Sequence, residues 1–338
     1  MESLAIKYRP KTWDDVTEQS SIVKILKRQI ETKTFKNAYL FTGPSGTGKT
    51  TLARIFANEI NKGYGNPIEI DAASNNSVEN VRNIVKAAQE RSIDSTYKIY
   101  IIDEAHALSN SAWQAFLKCI EEPPEFTIFI FCTTDPQKIP PTILNRVQRF
   151  NLNKISHEGI RKRLALICDK EHFTNYEASI DYISKIANGG MRDAIALLDK
   201  CSSLSTDLNI NNVLEALGNY SYKEFFNLLN ALFDNNQTQV LSIIENYYAK
   251  GNDLKIFTDQ FIDFILDVAK YNLFKTCDLI KIPSVMEADL KSITNIENAG
   301  EYFQYILNKL LTMKAAIKGD SDMKSTIEIY LLQVARCQ

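Results

Sequence analysis

Two short segments carry residue types suited to phosphate chemistry. The first is "GPSGTGKTT", Gly43 to Thr51. Gly43, Gly46, Gly48, Lys49 and Thr50 fit the pattern G-x-x-x-x-G-K-[ST], with Pro44, Ser45 and Thr47 filling the loop and Thr51 following it. In such a loop, glycines let backbone N–H groups turn inward on phosphate oxygens, and the next helix adds its positive N-terminal end. Lys49 is then expected to place a cation at the β- and γ-phosphates, and the Thr50 hydroxyl to complete a Mg²⁺ shell. The second segment, "IYIIDEAH", is an apolar strand ending in two acids. Asp103 suits Mg²⁺, directly or through water, and Glu104 suits the orientation and deprotonation of an attacking water. Adjacent carboxylates at a strand end can equally form a solvated turn, and the string ending in His106 does not select a function. The next strand ends in "FCTTDP". There Thr134 could reach a terminal phosphate or the lytic water, although threonine is also simply a good strand former.

Two arginines join this constellation. Arg146 lies in "PPTILNRVQRF" and Arg192 in "NGGMRDAIALLDK", at the start of a helical pattern. Most arginines are solvated surface residues. Transition-state charge on a transferred phosphoryl group is nevertheless commonly met by an arginine supplied in cis or in trans.

The elements that must position these residues can be read from periodicity. Strands are expected at 39–42, 67–71, 98–103 and 126–134. Helices are expected at 51–60, at 76–90 with Asn76 as N-cap, and at 111–122, where Pro123 and Pro124 stop the pattern. Strands alternating with helices predict a parallel sheet covered on both faces. After about residue 155 strand-like runs cease and only helical spacing remains, rich in Leu, Ile and Phe beyond residue 220.

Composition sets the bounds. The 338 residues include 39 Lys and Arg against 41 Asp and Glu, a net charge of −2, so any nucleic-acid contact must be local. No apolar run reaches membrane-helix length and the start lacks an apolar signal core, which together point to a cytoplasmic protein without membrane contact. The six cysteines, Cys119, Cys132, Cys168, Cys201, Cys277 and Cys337, are scattered with no C-x-x-C, as expected for buried thiols rather than a zinc or disulfide framework.

Several segments, in order, carry a resemblance. "KYRPKTWDDV", "GPSGTGKTT", "EIDAAS", "IYIIDEAHALS", "AFLKCIEEPPE", "TTDPQKIPPTILNR" and "GGMRDAIALLDK" resemble clamp-loader ATPases of the AAA+ class. The chain looks most similar to the bacterial DNA polymerase III gamma/tau subunits, and more distantly to replication factor C small subunits. The resemblance is strong from residue 4 to about 218 and weaker through the C-terminal helices. It implies an α/β P-loop AAA+ domain with a parallel sheet between helices (1–155), an all-helical lid (156–218) and an all-helical C-terminal collar (219–338).

The resemblance also implies roles. Lys49, Asp103 and Glu104 would serve ATP hydrolysis, with Thr134 as first sensor and Arg192 as second. Arg146 would reach a neighbouring subunit's ATP, although the family's serine–arginine–cysteine motif reads Asn145-Arg146-Val147 here. Arg9, Pro10 and Val16 would pack near the adenine, while Glu18 stands where the family has glycine. Cofactors would be ATP and Mg²⁺, without zinc, because the family's cysteine-rich insert is replaced by the cysteine-free "NKGYGNP".

Partners would be a sliding clamp, other loader subunits in a pentameric ring or spiral, and primer–template DNA. The DNA would be met by helix starts carrying "SNNS" and "SNS" in place of basic residues. The helix "SAWQAFLKCIEE" could turn Trp113 and Phe116 toward the clamp, or bury them as an ordinary amphipathic helix does. With the collar as its last element and the zinc insert missing, the sequence suits a shortened loader that a phage or a compact genome could encode. The competing readings are another AAA+ DNA motor, such as a Holliday-junction helicase, and a non-hydrolysing ATP-binding scaffold.

Overall fold

The structure, a computed structural model, describes residues 2–217, 222–296, 298–320 and 322–335. In chain order its elements are α1 (Leu4–Lys7), α2 (Ser20–Thr32), β1 (Ala38–Thr42), α3 (Lys49–Ile60), β2 (Ile68–Asp71), α4 (Val78–Ala88), β3 (Lys98–Asp103) and α5 (Asn110–Glu121). They continue with β4 (Thr127–Thr133), α6 (Pro141–Leu144), β5 (Gln148–Asn151), α7 (His157–Glu171), α8 (Glu177–Ile186), α9 (Met191–Ser202) and α10 (Ile210–Leu217). The remaining helices are α11 (Tyr222–Phe233), α12 (Gln237–Ala249), α13 (Leu254–Phe274), α14 (Glu287–Thr294), α15 (Ala299–Ala316) and α16 (Met323–Ala335). The chain divides into two compact units, Met1–Ile167 with Ala187–Asp199, and Cys168–Ile186 with Lys200–Gln338.

The first unit is built on a five-stranded sheet of order β2-β3-β4-β1-β5, in which every pairing is parallel. Strand alternation sorts side chains onto its two faces. Tyr39, Phe41, Ile128, Ile130 and Cys132 pack with Leu52 and Phe56 of α3 and Leu26 of α2. Leu40, Phe129 and Phe131 pack with Val81 of α4 and Trp113 and Phe116 of α5. Both faces are therefore covered, which is why the central strands are apolar along their whole length.

Local chemistry explains the element ends. Ser77, not Asn76, caps α4, its hydroxyl accepting the Asn80 amide at 3.2 Å. Ser109 caps α5 in the same way through the Ala112 amide at 3.2 Å. The first of these displaces the expected cap by one residue. Trp113 and Phe116 are 1% and 0% exposed, so α5 turns both aromatics into the core and neither faces a clamp. The strand β5 was not anticipated. Its pattern, "QRFN", buries only Phe150, and an edge strand with one apolar residue gives no periodic signal.

The second unit is helical. Its core is rich in phenylalanine, with Phe257, Phe261 and Phe264 along one face of α13 meeting Phe225 of α11. Asp267, also on α13, is 3% exposed, and its Oδ2 accepts the Lys281 amide at 2.7 Å. Burial raises its pKa, and the Lys281 amide together with Lys270, whose Nζ lies 3.6 Å from Oδ1, partly offsets that. Both the expected lid–collar boundary at 218/219 and Cys337 lie outside the described residues. No helix among the described residues is long and apolar enough to cross a membrane.

Candidate functional site

The parallel arrangement brings three strand ends to one edge of the sheet. β1 runs into the glycine loop, β3 ends in Asp103, and β4 lies between them in the sheet order. Open parallel sheets place ligands in the crevice beyond these carboxyl ends.

The loop conformation depends on its glycines. Gly48 has φ +99°, and a Cβ there would meet nothing within 4 Å, so its outer face opens on the cleft. Gly43 has φ +148°, and a Cβ there would lie 2.5 Å from the Leu152 carbonyl oxygen, so the chain can enter the loop beside β5 only without a side chain. Lys49, the first residue of α3, folds back over the loop. Its Nζ donates to the carbonyls of Gly43 and Pro44, both at 2.9 Å. Burial lowers its pKa, and the nearby Glu104 and Asp103 carboxylates partly offset that. Thr47 tightens the turn by donating to the Pro44 carbonyl at 2.8 Å.

The acids meet this loop directly. The Thr50 hydroxyl donates to Asp103 Oδ2 at 2.8 Å, linking the start of α3 to the end of β3. Glu104 adopts a left-handed conformation with φ 46°, and its amide donates to Asp103 Oδ1 at 3.0 Å. This kink separates the two carboxylates. Glu104 Oε2 accepts the Thr134 hydroxyl at 3.4 Å and lies 3.3 Å from His106 Nδ1. His106 Nδ1 is also 3.2 Å from the Thr133 hydroxyl. Thr134 thus stands one residue past β4 beside Glu104, and His106 is a further contact whose role the sequence reading left open.

Lys49, Thr50, Asp103 and Glu104 line a cleft of about 200 Å³, whereas Thr134 and His106 stand behind Glu104 outside that lining. Ser45, Gly46, Thr47, Gly48, Thr50 and Thr51 line one side. Arg9, Pro10 and Val16 line it with the apolar side chains of Ile155, Met191 and Ile195, a surface suited to a flat aromatic base. Arg192 also lines it, at the start of α9. The Met191 amide donates to the Gly46 carbonyl at 3.0 Å, tying that helix start to the loop. Burial first, and then the like charges of Arg54 and Arg192, lower the pKa of Arg9. A cleft that gathers Lys49 and four arginines, Arg9, Arg54, Arg163 and Arg192, against Asp103 and Glu104 is built for a polyanion.

Arg146 lies elsewhere. It follows α6, outside the lining of this cleft, with Nη2 2.7 Å from Glu121 Oε1. Sequence reasoning missed Arg54 and Arg163. Arg54, on α3, pairs with Glu69, and Arg163, on α7, donates to the Tyr8 carbonyl at 3.0 Å and so holds the strap that carries Arg9. Neither belongs to a motif, and only the tertiary approach of α1 and α7 reveals the second. Glu18 also has a definite place. With φ +60° it keeps the left-handed backbone that glycine would favour, and its carboxylate accepts the Ser156 amide at 3.1 Å at the start of α7.

Comparison with known proteins converges on one family. A family described as "DNA polymerase III, delta subunit" matches residues 66–156. One described as "DNA polymerase III clamp loader subunit, ATPase lid domain" matches 159–204, and "DNA polymerase III subunits gamma and tau domain III" matches 208–338. The DNA polymerase III subunit tau of Bacillus subtilis is 39% identical over 286 residues, 78% of this chain and 51% of that protein. The DNA polymerase III subunit gamma of Buchnera aphidicola subsp. Schizaphis graminum is 32% identical over 359 residues, covering 98% of this chain and 97% of that protein. The chain spans about half the length of the tau proteins it matches. Among solved structures, the Thermotoga maritima RuvB Holliday junction branch migration motor is 20% identical, with a TM-score of 0.53 over 67% of this chain and 79% of that chain. That likeness shows the fold, a parallel sheet between helices. The identity and coverage of the gamma relative, together with the three family matches, show that this chain belongs to the gamma/tau family of DNA polymerase III subunits.

Proposed function

We propose that the chain is an ATP-hydrolysing subunit of a sliding-clamp loader, acting on a clamp and primer–template DNA in the bacterial cytoplasm. The observation that carries this reading is the 2.8 Å pairing of Thr50 with Asp103 beneath the glycine loop, in a chain of this family. A hydroxyl and a carboxylate converging beside a phosphate cradle are hard oxygen donors, the set that Mg²⁺ takes along with waters and phosphate oxygens. The open face of Gly48 leaves room for those phosphates. Mg²⁺, when bound, would draw electron density from the phosphate oxygens and so ease departure of the leaving group.

The residues of the chain supply the rest. Lys49 would exchange its two carbonyl partners for phosphate oxygens. The amides of Gly46 to Thr50 and the start of α3 would hold the polyphosphate. Glu104 would orient water and accept its proton at the carboxylate, with Thr134 fixing that carboxylate from the adjoining strand end. Arg192 would meet the terminal phosphate from the start of α9, and Arg9, Pro10 and Val16 would bound the base. Arg146 would act in trans, because its own cleft does not include it. The family matches at 159–204 and 208–338 support a lid followed by a collar, which we place at 156–218 and 219–338 after a 1–155 ATPase domain. We further propose that the collar assembles the chain into a pentameric ring or spiral, and that no zinc is required.

The test is the steady-state ATPase rate with and without primed DNA and the cognate clamp, in the assembled loader. Stimulation by both together is expected, and a rate indifferent to both overturns the reading. Arg146→Ala is expected to leave ATP binding intact and to lower stimulated turnover. Mixing with wild-type subunits should restore turnover only at interfaces that receive a wild-type arginine.

A further inference from the structure

Outside the cleft, the arginine that should serve a neighbouring subunit is held by an acid of its own chain. The Arg146 guanidinium is gripped at two points. Nη1 donates to the Thr142 carbonyl at 2.7 Å, and Nη2 pairs with Glu121 Oε1 at 2.7 Å. The side chains remain 38% and 43% exposed, so the pair lies at the surface with an open edge. Beneath it the backbone is fixed. Ile143 of α6 is fully buried in the same core as Phe116 and Ile120 of α5, and Leu144 and Val147 pack against that core.

Glu121 is also an unexpected residue for its position. It is the last residue of α5, where the helix dipole disfavours a carboxylate, and the C-cap Glu122 and then Pro123 and Pro124 follow it. An isolated surface ion pair is a weak stabiliser. The geometry therefore points to orientation: an arginine has many rotamers and five donors in a rigid fork, and fixing two donors in cis aims the rest.

We infer that Glu121 is a positioning residue for Arg146, holding its guanidinium ready for the phosphates of the adjacent subunit. This rests on the proposed action of Arg146 in trans. Each subunit would then present an arginine already ordered before assembly, and less rotamer freedom would be lost when the interface forms. Because the acid and the arginine sit on different elements, α5 and the loop after α6, a displacement of α5 would also redirect the arginine.

The experiment uses the assembled loader with clamp and primed DNA. It compares wild type, Glu121→Ala, Glu121→Gln, Arg146→Ala and the Glu121→Ala/Arg146→Ala pair, with a melting curve for each single variant. Glu121→Ala is expected to lower stimulated kcat by roughly threefold to tenfold, the scale of modest misplacement of a catalytic group. The KM for ATP should stay within about twofold, since the affected group acts on the transition state. Glu121→Gln, which keeps an acceptor but not the charge, should fall between wild type and alanine. The double variant should be no slower than Arg146→Ala alone.

Wild-type turnover in Glu121→Ala while Arg146→Ala is impaired overturns the inference and leaves the trans reading standing. So does an additive double variant, which would place Glu121 in a separate role. A faster Glu121→Ala enzyme would mean that the acid restrains the arginine, and also overturns it. Full turnover in Arg146→Ala would instead overturn the trans reading and the inference together.

Discussion

Glu18 offers a quantitative test of how the start of α7 is held. The local sequence there is Ser156-His157-Glu158-Gly159. Ser156 Oγ accepts the Gly159 amide at 3.0 Å, as an N-cap hydroxyl does. In a capping box the residue at the Gly159 position would be glutamate or glutamine and would return a bond to the Ser156 amide. Glycine has no side chain to do so, and Glu18 supplies the carboxylate from a distant loop, accepting the Ser156 amide at 3.1 Å and the Ser156 hydroxyl. A Cβ at Gly159 would lie 2.5 Å from Glu18 Oε1, so the missing side chain and the visiting carboxylate fit each other.

Two terms of opposite sign act at Glu18. A cap contact is worth about 1 kcal/mol, and its exposure keeps it near that figure. The left-handed backbone at φ +60° costs a residue with a Cβ about 1 kcal/mol relative to glycine. Glu18→Ala loses the cap and keeps the strain, so it should destabilise the first unit by about 1 kcal/mol and lower its melting temperature by roughly 2–4 °C. Glu18→Gly loses the cap and sheds the strain, so it should melt within about 1–2 °C of wild type. The double variant Glu18→Gly/Gly159→Glu restores a local capping box and should equal or exceed wild type. Calorimetry, with the transition of the first unit assigned by its shift on adding nucleotide, separates these cases. An alanine variant as stable as wild type, or a glycine variant below alanine, would refute the assignment of Glu18 as a cap held in a strained backbone.

Two further outcomes follow from buried groups. Lys49 carries an ammonium that burial disfavours, so its folded pKa lies below that of an ordinary lysine. The resulting penalty is full at neutral pH, is relieved progressively as pH rises above that lowered pKa, and is gone only above the ordinary lysine value. Lys49→Met should therefore melt no lower than wild type without nucleotide while binding of a fluorescent ATP analogue is lost, and a clear fall in its melting temperature would contradict this account. The thiols supply the second case. Burial pushes Cys168 up to about 12 and Cys201 to about 11, and Cys132 well above its usual value. At pH 8 a thiol of pKa about 12 is thiolate in only about one molecule in ten thousand. Maleimide labelling read by peptide mass spectrometry should thus modify the half-buried Cys277 well before Cys119, Cys132, Cys168 and Cys201, and equal rates for all five would refute their burial.

The sequence by itself determined the chemistry and most of the scaffold. The glycine loop, the acidic pair and the alternation of apolar strands with helices are local patterns, because a phosphate cradle and a doubly covered parallel strand each need particular residue types in consecutive order. The helical texture after residue 155 was legible for the same reason. What depends on distance along the chain was not. β5 has a single buried residue, and it became a strand only because β1 offers it an edge. Trp113 and Phe116 could face outward or inward on an amphipathic helix until Phe129 and Phe131 were placed opposite them. The grip of Arg163 on the Tyr8 carbonyl, the cap that Glu18 lends to α7, and the pairing of Glu121 with Arg146 join residues from separate elements. Their energies depend on distances of about 3 Å between atoms that no periodicity relates, so only the packed tertiary structure could decide them.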